Sequence, residues 1–136
     1  YGKSGFVQYQ FVLPKKDGLK NMRAILEIIA NSDLNSYLTV LKNFGAQNQN
    51  LLSFPMAGYT LSLDFKWNLK TKTLLSELDT LVAEKGGRIY LTKDATMTEK
   101  TFKSMYSKWE MFEQTREKYH AIGHFSSNQS KRLGLL

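Results

Sequence analysis

Residues 59–65 read Tyr59-Thr60-Leu61-Ser62-Leu63-Asp64-Phe65, a strict alternation of apolar and polar side chains. Successive side chains of a β-strand point to opposite faces of its sheet. This stretch therefore predicts a strand with one apolar and one polar face. Such a strand needs a hydrophobic core on one side, so it decides the kind of fold that the rest of the chain has to complete.

Working outward, a second alternating stretch lies at residues 6–13, where Gln8 and Gln10 interrupt the apolar residues and Pro14 ends the pattern. Residues 37–44 and 88–92 predict two shorter strands, and residues 15–32 and 71–85 predict helices, the second ending at Gly86-Gly87. The order of these elements predicts an α+β fold, a split βαβ (ferredoxin-like) antiparallel sheet with helices on one face.

Helical spacing also predicts which side chains face the core. The stripe of the first helix consists of Leu19, Met22, Leu26 and Ile29, widened by Ile25 and Ile28. The stripe of the second helix consists of Leu74, Leu75, Leu78, Leu81 and Val82.

A C-terminal helical segment is predicted to follow the sheet. Thr96 and Glu99 form a capping-box pattern, which predicts the start of a helix. Its apolar stripe continues toward Tyr119 through Phe102, Met105, Tyr106, Trp109 and Phe112. The tail, residues 125–136, closes on Leu133, Leu135 and Leu136, which we expect to dock onto an apolar surface.

Composition narrows the functional classes. The 136 residues are 42% hydrophobic and 23% charged, as in an ordinary globular domain, and contain no cysteine for disulfides or thiolate metal sites. No apolar run approaches the roughly 20 residues that span a bilayer. The net charge of +7 is spread along the chain among acidic residues, so no basic block indicates nucleic acid. The compartment stays open, cytoplasmic or membrane-peripheral. The start has no signal-peptide pattern and is expected to be a cut within a longer protein.

The polar sheet face carries Gln8, Gln10, Thr60 and Ser62, short uncharged groups that suit a buried polar ligand better than water. Lys42 lies near the end of one predicted strand, and Lys93 follows directly after another. A lysine there either reaches back to water or meets an anion or an electron-rich ring. Spacing alone leaves both interpretations open.

Two other classes compete with a small-ligand site. Residues 5–9, GFVQY, match half of the aromatic motif of RNA-recognition modules, but on the first strand instead of the third. His120 and His124 have a spacing found in zinc sites, yet no further ligand pattern accompanies them, so we expect no metal. No dinucleotide-binding glycine motif, P-loop or serine-hydrolase elbow occurs.

A series of short motifs carries a family resemblance. They include Gln8-Tyr9-Gln10-Phe11-Val12, Leu41-Lys42-Asn43-Phe44-Gly45, Leu52-Ser53-Phe54-Pro55, Glu77-Leu78-Asp79, Gly86-Gly87-Arg88-Ile89-Tyr90-Leu91-Thr92-Lys93-Asp94 and Arg132-Leu133. In order and spacing the chain resembles the C-terminal portion of the decaprenylphosphoryl-β-D-ribose 2-oxidase family, FAD-linked flavoenzymes of the vanillyl-alcohol oxidase type.

The resemblance implies roles for individual residues. Tyr90, Thr92 and Lys93 would contact FAD, with Lys93 also catalytic and close to the substrate. The substrate-binding residues would be Gln8, Gln10, Lys42, Phe44, Thr60 and Ser62. Thr60 stands where the family has asparagine, and Ser62 where it has cysteine.

The resemblance also implies an organisation and partners. Residues 1–87 would belong to a substrate (cap) domain, and residues 88–136 would complete an FAD-binding domain supplied mostly by a missing N-terminal part. The implied activity is oxidation of a hydroxyl on a sugar-like or polyprenyl-phosphate sugar, and a reductase is an implied partner. The alternatives are an aldonolactone or polyol oxidase of the same fold and a non-catalytic RNA-binding domain. The isolated fragment would be inactive. Its open polar face, together with the exposed apolar surface of the last segment that would meet the missing domain, would favour self-association.

Overall fold

A computed structural model describes residues 2–135 of the chain. Its strands are β1 (Phe6–Pro14), β2 (Thr39–Phe44), β3 (Gly58–Lys66) and β4 (Arg88–Ile89), in the order β2-β3-β1-β4 with antiparallel neighbours. Its helices are α1 (Gly18–Asn31), α2 (Leu69–Glu84), α3 (Glu99–Met105), α4 (Trp109–Lys118) and α5 (Asn128–Arg132). The predicted α+β fold with a C-terminal helical segment is confirmed.

The register of the two central strands keeps their polar and apolar residues in phase. Gln10 lies opposite Ser62, and Tyr9 lies opposite Leu63. Opposite residues of an antiparallel pair share a face of the sheet. One face is therefore lined by buried apolar side chains, and the other face carries the glutamines and hydroxyls.

Gly58 allows this close pairing. A Cβ atom at Gly58 would lie 1.9 Å from the carbonyl oxygen of Leu13, far inside van der Waals contact. The residue faces Pro14 on β1 and Phe44 on β2. Only glycine fits where three strands converge this tightly.

The core-facing side of α1 differs from the predicted stripe. Met22, Ile25 and Ile29 are buried as expected, but Leu19 and Leu26 are 76% and 42% exposed. At 100° per residue, the three buried residues cluster on one line, and both leucines fall to one side of it. The helix rests on the sheet along this narrower line.

The second helix follows its prediction closely. Leu74, Leu75, Leu78 and Val82 are buried. The Asn68 side chain accepts a hydrogen bond from the Thr71 amide at 2.9 Å, which caps the N-terminus. Gly86 has φ of +69°, the left-handed conformation expected after the helix.

The C-terminal third departs most from the expectations. The strand predicted over residues 88–92 contains only Arg88–Ile89, after which Leu91–Lys93 forms a 3-10 turn, here called the Lys93 turn. Thr96 does not cap α3, because the Thr98 side chain performs that role. The predicted continuous helix breaks between α3 and α4.

The tail docks onto the chain's own core. Leu133 and Leu135 are 1% and 7% exposed and lie in the same core cluster as Tyr9 and Phe102. The expectation that the apolar tail is left exposed for a missing domain is therefore wrong for these two leucines, because the chain's own core covers them. Leu136 lies outside the described residues. No helix within residues 2–135 has the length and apolar character needed to cross a bilayer.

Candidate functional site

Gln10 and Thr60 form the buried centre of the polar face. Gln10 Nε2 donates to Thr60 Oγ1 at 3.0 Å, and Thr60 Oγ1 donates to the Phe11 carbonyl at 2.7 Å. Gln10 is 7% exposed and Thr60 is completely buried. The expectation that this face is left open is therefore wrong at these two residues, because both are buried within the chain.

The hydrogen bonds fix which way the Gln10 amide points. The Phe11 backbone carbonyl can only accept a hydrogen bond, so the Thr60 hydroxyl must donate its proton to that carbonyl. Thr60 can then only accept from Gln10, which turns the NH₂ group of Gln10 toward Thr60. The carbonyl oxygen of Gln10 is left as an acceptor for a further group.

Lys93 reaches this face from the Lys93 turn. Its Nζ donates to Ser62 Oγ at 3.2 Å. The Tyr90 backbone amide donates to the backbone carbonyl of Gln10 at 2.8 Å, which holds the start of the turn beside β1. The structure thus brings together the predicted residues Gln10, Ser62 and Lys93.

Gln8 lies at the far end of the same face. Its Nε2 donates to Asp64 Oδ1 at 3.1 Å. A depression of about 280 Å³ opens beside it. The lining residues are Phe6, Val7, Gln8, Thr92, Lys93, Asp94 and Ala95.

Three aromatic rings form a wall at the other end. Phe44 meets Phe54 edge to face, with ring centroids 5.8 Å apart, and Phe54 stacks on Tyr90 at 4.5 Å. Phe44 and Tyr90 were predicted site residues, whereas Phe54 was not. The available signal was an aromatic residue directly before Pro55 in the loop between the second and third strands.

Arg88 anchors the loop that carries Phe54. Its Nη1 donates to the Ser53 carbonyl at 2.8 Å and to Gln47 Oε1 at 2.9 Å. The guanidinium also lies over the Tyr106 ring, 5.8 Å from the centroid. Partial burial lowers the pKa of Arg88, and it keeps its charge at neutral pH.

The two remaining predicted residues lie at the margin. Lys42 is opposite Thr60 in the register and so shares the polar face, but it is exposed on the edge strand β2. Thr92 is exposed within the Lys93 turn. Neither is drawn into the hydrogen bonds at the centre.

A buried acid network supports the site from the other side of the sheet. Asp79, 2% exposed on α2, accepts hydrogen bonds from the Tyr9 hydroxyl at 3.0 Å and the Thr96 hydroxyl at 2.7 Å. Burial raises the pKa of Asp79 to about 6, against the lowering effect of the two hydrogen bonds. Desolvation likewise raises the pKa of Tyr9 well above its ordinary value. The sequence signal was an acidic residue inside the apolar stripe of α2.

The two histidines do not extend this site. His120 and His124 are exposed near the end of α4. Within residues 2–135 no group of three or more His, Asp or Glu side chains is placed to hold a metal ion.

Sequence comparison places the chain among known proteins. It is 38% identical to a decaprenylphosphoryl-beta-D-ribose oxidase from Mycolicibacterium smegmatis over all 136 residues, which are 29% of that protein's length. It is 32% identical over 115 residues, or 84% of the chain, to an uncharacterised protein in the mprA 5' region of Streptomyces coelicolor, of which the match covers 31%. No family profile matches.

The chain therefore spans about three tenths of the length of these curated relatives. The resemblance inferred from the short motifs is confirmed by the match, which extends over all 136 residues of this chain. By sequence, the chain is similar along its whole length to a C-terminal portion of a decaprenylphosphoryl-β-D-ribose oxidase.

Proposed function

We propose that this chain forms the substrate side of a flavin site in an FAD-dependent oxidoreductase that oxidises a hydroxyl group of a sugar-like substrate. The observation that carries the proposal is the Lys93 ammonium, held 3.2 Å from Ser62 above the polar face of Gln10 and Thr60. The similarity to an oxidase of a ribose-derived compound supports the same reaction class.

The residues present fit one edge of a flavin and a hydroxylated substrate. FAD would supply the hydride acceptor when bound, and the protein would supply orientation and charge. Lys93 has three N–H donors and uses one on Ser62, so it retains donors for a ligand. A fixed ammonium at this place would stabilise negative charge that develops during hydride transfer.

Gln10 would hold the substrate hydroxyl. Because the side-chain NH₂ group of Gln10 donates to Thr60, the side-chain carbonyl oxygen of Gln10 remains as an acceptor for the substrate. An acceptor held in one orientation contributes to positioning at little entropic cost. Ser62 and Gln8 widen the hydrogen-bonding surface on either side, and Lys42 would bind from the rim.

The aromatic wall would give the site its flat boundary. Phe54 and Tyr90 lie nearly parallel, with 17° between their ring planes. Such a surface excludes water and suits a planar ring or the apolar face of a sugar. With Thr60 and Ser62 both small and polar, a polyol or an aldonolactone is the second candidate substrate.

The proposed division at residue 87 and the remaining partners extend this function. Residues 88–136 would return to an FAD-binding domain formed by other parts of the same polypeptide, and a reductase could serve as electron partner. Within this chain, however, Ile89 and Leu133 share a core cluster with Leu61 and Leu75. The segment is anchored to the sheet whichever domain it completes.

The full-length protein containing this chain provides the test. We expect it to purify with bound FAD and to be reduced anaerobically by a polyprenyl-phosphoryl ribose faster than by an aldonolactone or a simple polyol. Reduction by the polyol alone would favour the second candidate. A protein that binds single-stranded RNA and neither holds nor takes up flavin would overturn the proposal.

A further inference from the structure

The Lys93 turn has little means of holding its own shape. It is three residues long, Leu91–Lys93, and it begins after β4 has already ended at Ile89. Short 3-10 turns have poor internal hydrogen-bond geometry. The position of Lys93 must therefore be set by neighbouring segments.

Helix α5 supplies a contact on each side of this turn. Gln129 Nε2 donates to the Leu91 carbonyl at the start of the turn. Arg132 Nη2 pairs with Asp94 Oδ2 at 2.9 Å, immediately after Lys93. The two side chains lie one helical turn apart, so a single short helix reaches both ends.

Asp94 is built into its place. Its side chain is fully buried, and its Oδ1 accepts hydrogen bonds from the Thr96 amide at 3.1 Å and the Met97 amide at 2.9 Å. The second nitrogen of Arg132, Nη1, donates to the Met97 carbonyl. A guanidinium can serve a carboxylate and a carbonyl at once, which a lysine ammonium cannot match in geometry.

These contacts stop short of the polar face. Gln129 and Arg132 contact the backbone and the carboxylate that flank Lys93, while only Lys93 extends to Ser62. We propose that Gln129 and Arg132 are positioning residues that fix the Lys93 ammonium against Ser62. The effect on catalysis, though not the positioning itself, rests on the proposed function.

The first test needs no turnover. In the full-length protein, the rate at which an amine-reactive reagent modifies Lys93 is followed by peptide mass spectrometry. Arg132→Gln is expected to raise this rate about threefold or more, because the turn opens more often when its buried carboxylate loses its partner. Arg116→Gln removes another arginine ion pair of the C-terminal segment, with Glu113 at 2.7 Å, and is expected to leave the rate unchanged.

Folding is checked in parallel by near-UV circular dichroism. If Arg132→Gln unfolds the protein, Gln129→Ala replaces it, since it removes a neutral hydrogen bond and leaves the ion pair. It should raise the rate in the same direction by a smaller factor. A parental Lys93 modification rate in the folded variant overturns the proposal.

The second test separates positioning from general support. Arg132→Gln should lower the rate of flavin reduction about tenfold in the parental background, as small misplacements of a catalytic group do. In a Lys93→Met background it should have no further effect, because a lysine that is absent cannot be misplaced. Fully additive effects would overturn the positioning role. A Lys93→Met enzyme with the parental rate would instead overturn the proposed function, and the labelling result would still decide the positioning.

Discussion

The Tyr9 hydroxyl donates a hydrogen bond of 3.0 Å to the Asp79 carboxylate, joining β1 to α2 across the buried side of the sheet. The same carboxylate receives the Thr96 hydroxyl from the segment that follows the Lys93 turn. The Asp79 carboxylate, whose charge is costly to bury, thus links β1, α2 and the segment that follows the Lys93 turn.

Asp79 should give the fold a pH dependence of unusual sign. The pKa of Asp79 is about 6 in the folded chain and close to 4 when unfolded. Between those values the folded chain binds more protons than the unfolded chain, so the free energy of unfolding falls as pH rises and levels off above about pH 6. The full effect is up to about 3 kcal/mol.

Asp79→Asn should remove this slope. Urea unfolding of the parent and the variant between pH 4 and 7.5 gives the free energy of unfolding at each pH. The difference between the two pH profiles separates the contribution of Asp79 from that of the other acidic residues. Glu77→Gln, an exposed neighbour on the same helix, is the matched control and should retain the slope. Parallel curves for the parent and Asp79→Asn would contradict the prediction.

Lys93→Met should slow flavin reduction in the full-length enzyme by about 100-fold or more, the effect of losing one preorganised charge in the transition state. The substitution keeps the length of the side chain and removes the ammonium that contacts Ser62. Stopped-flow absorbance under anaerobic conditions measures the step directly. Reduction at the parental rate would show that Lys93 does not lie at the flavin.

Lys42→Met should act on binding instead of rate. Lys42 is exposed at the rim of the polar face, opposite Thr60 on the edge strand. A contact made equally in the ground and transition states raises KM when removed and leaves kcat nearly unchanged. Steady-state kinetics on the same preparations give both constants, and a large fall in kcat would place Lys42 in the reaction itself.

Gly58→Ala should destabilise the chain by about 3 kcal/mol or more, because its Cβ would overlap the Leu13 carbonyl and force β1 and β3 apart. Gly45→Ala is the control, since nothing lies within 4 Å of its added Cβ. Urea unfolding compares the two variants. Equal midpoints would mean that the strands can separate at little cost.

The isolated chain should purify without colour and should self-associate. Leu38, directly before β2, and Leu41, within it, are 54% and 60% exposed, and β2 is an edge strand that has only β3 as a neighbour in the described sheet. Exposed apolar edges favour pairing between chains. Leu41→Lys should reduce association in light scattering at about 50 micromolar, whereas Leu19→Lys on α1 should not. A monomer at that concentration, or stoichiometric yellow flavin, would contradict the prediction.

The sheet and much of its polar face could be predicted because strand alternation reports directly on which side chains share a face. Gln10 and Thr60 lie 50 residues apart, yet both follow from the pattern of their own strands. The Lys93 turn could not be predicted in this way. Residues 88–92 have the composition of a strand, but the chain turns after Ile89 under contacts from α5.

Thr96 shows the same limit at the level of a single hydroxyl. Its spacing from Glu99 is typical of a helix cap, but its hydroxyl bonds Asp79, 17 residues away. Leu19 and Leu26 are a related case, since their exposure depends on which line of α1 packs against the sheet. Long-range packing decides which partner a side chain contacts and which side chains are buried, and the local spacing of residues does not report on that packing.

The contact between Arg132 and Asp94 spans 38 residues, which has a consequence for synthesis. A ribosome releases all four strands and Lys93 well before it releases α5, and domains begin to fold as they emerge. The sheet can therefore form before Gln129 and Arg132 fix the position of the Lys93 ammonium.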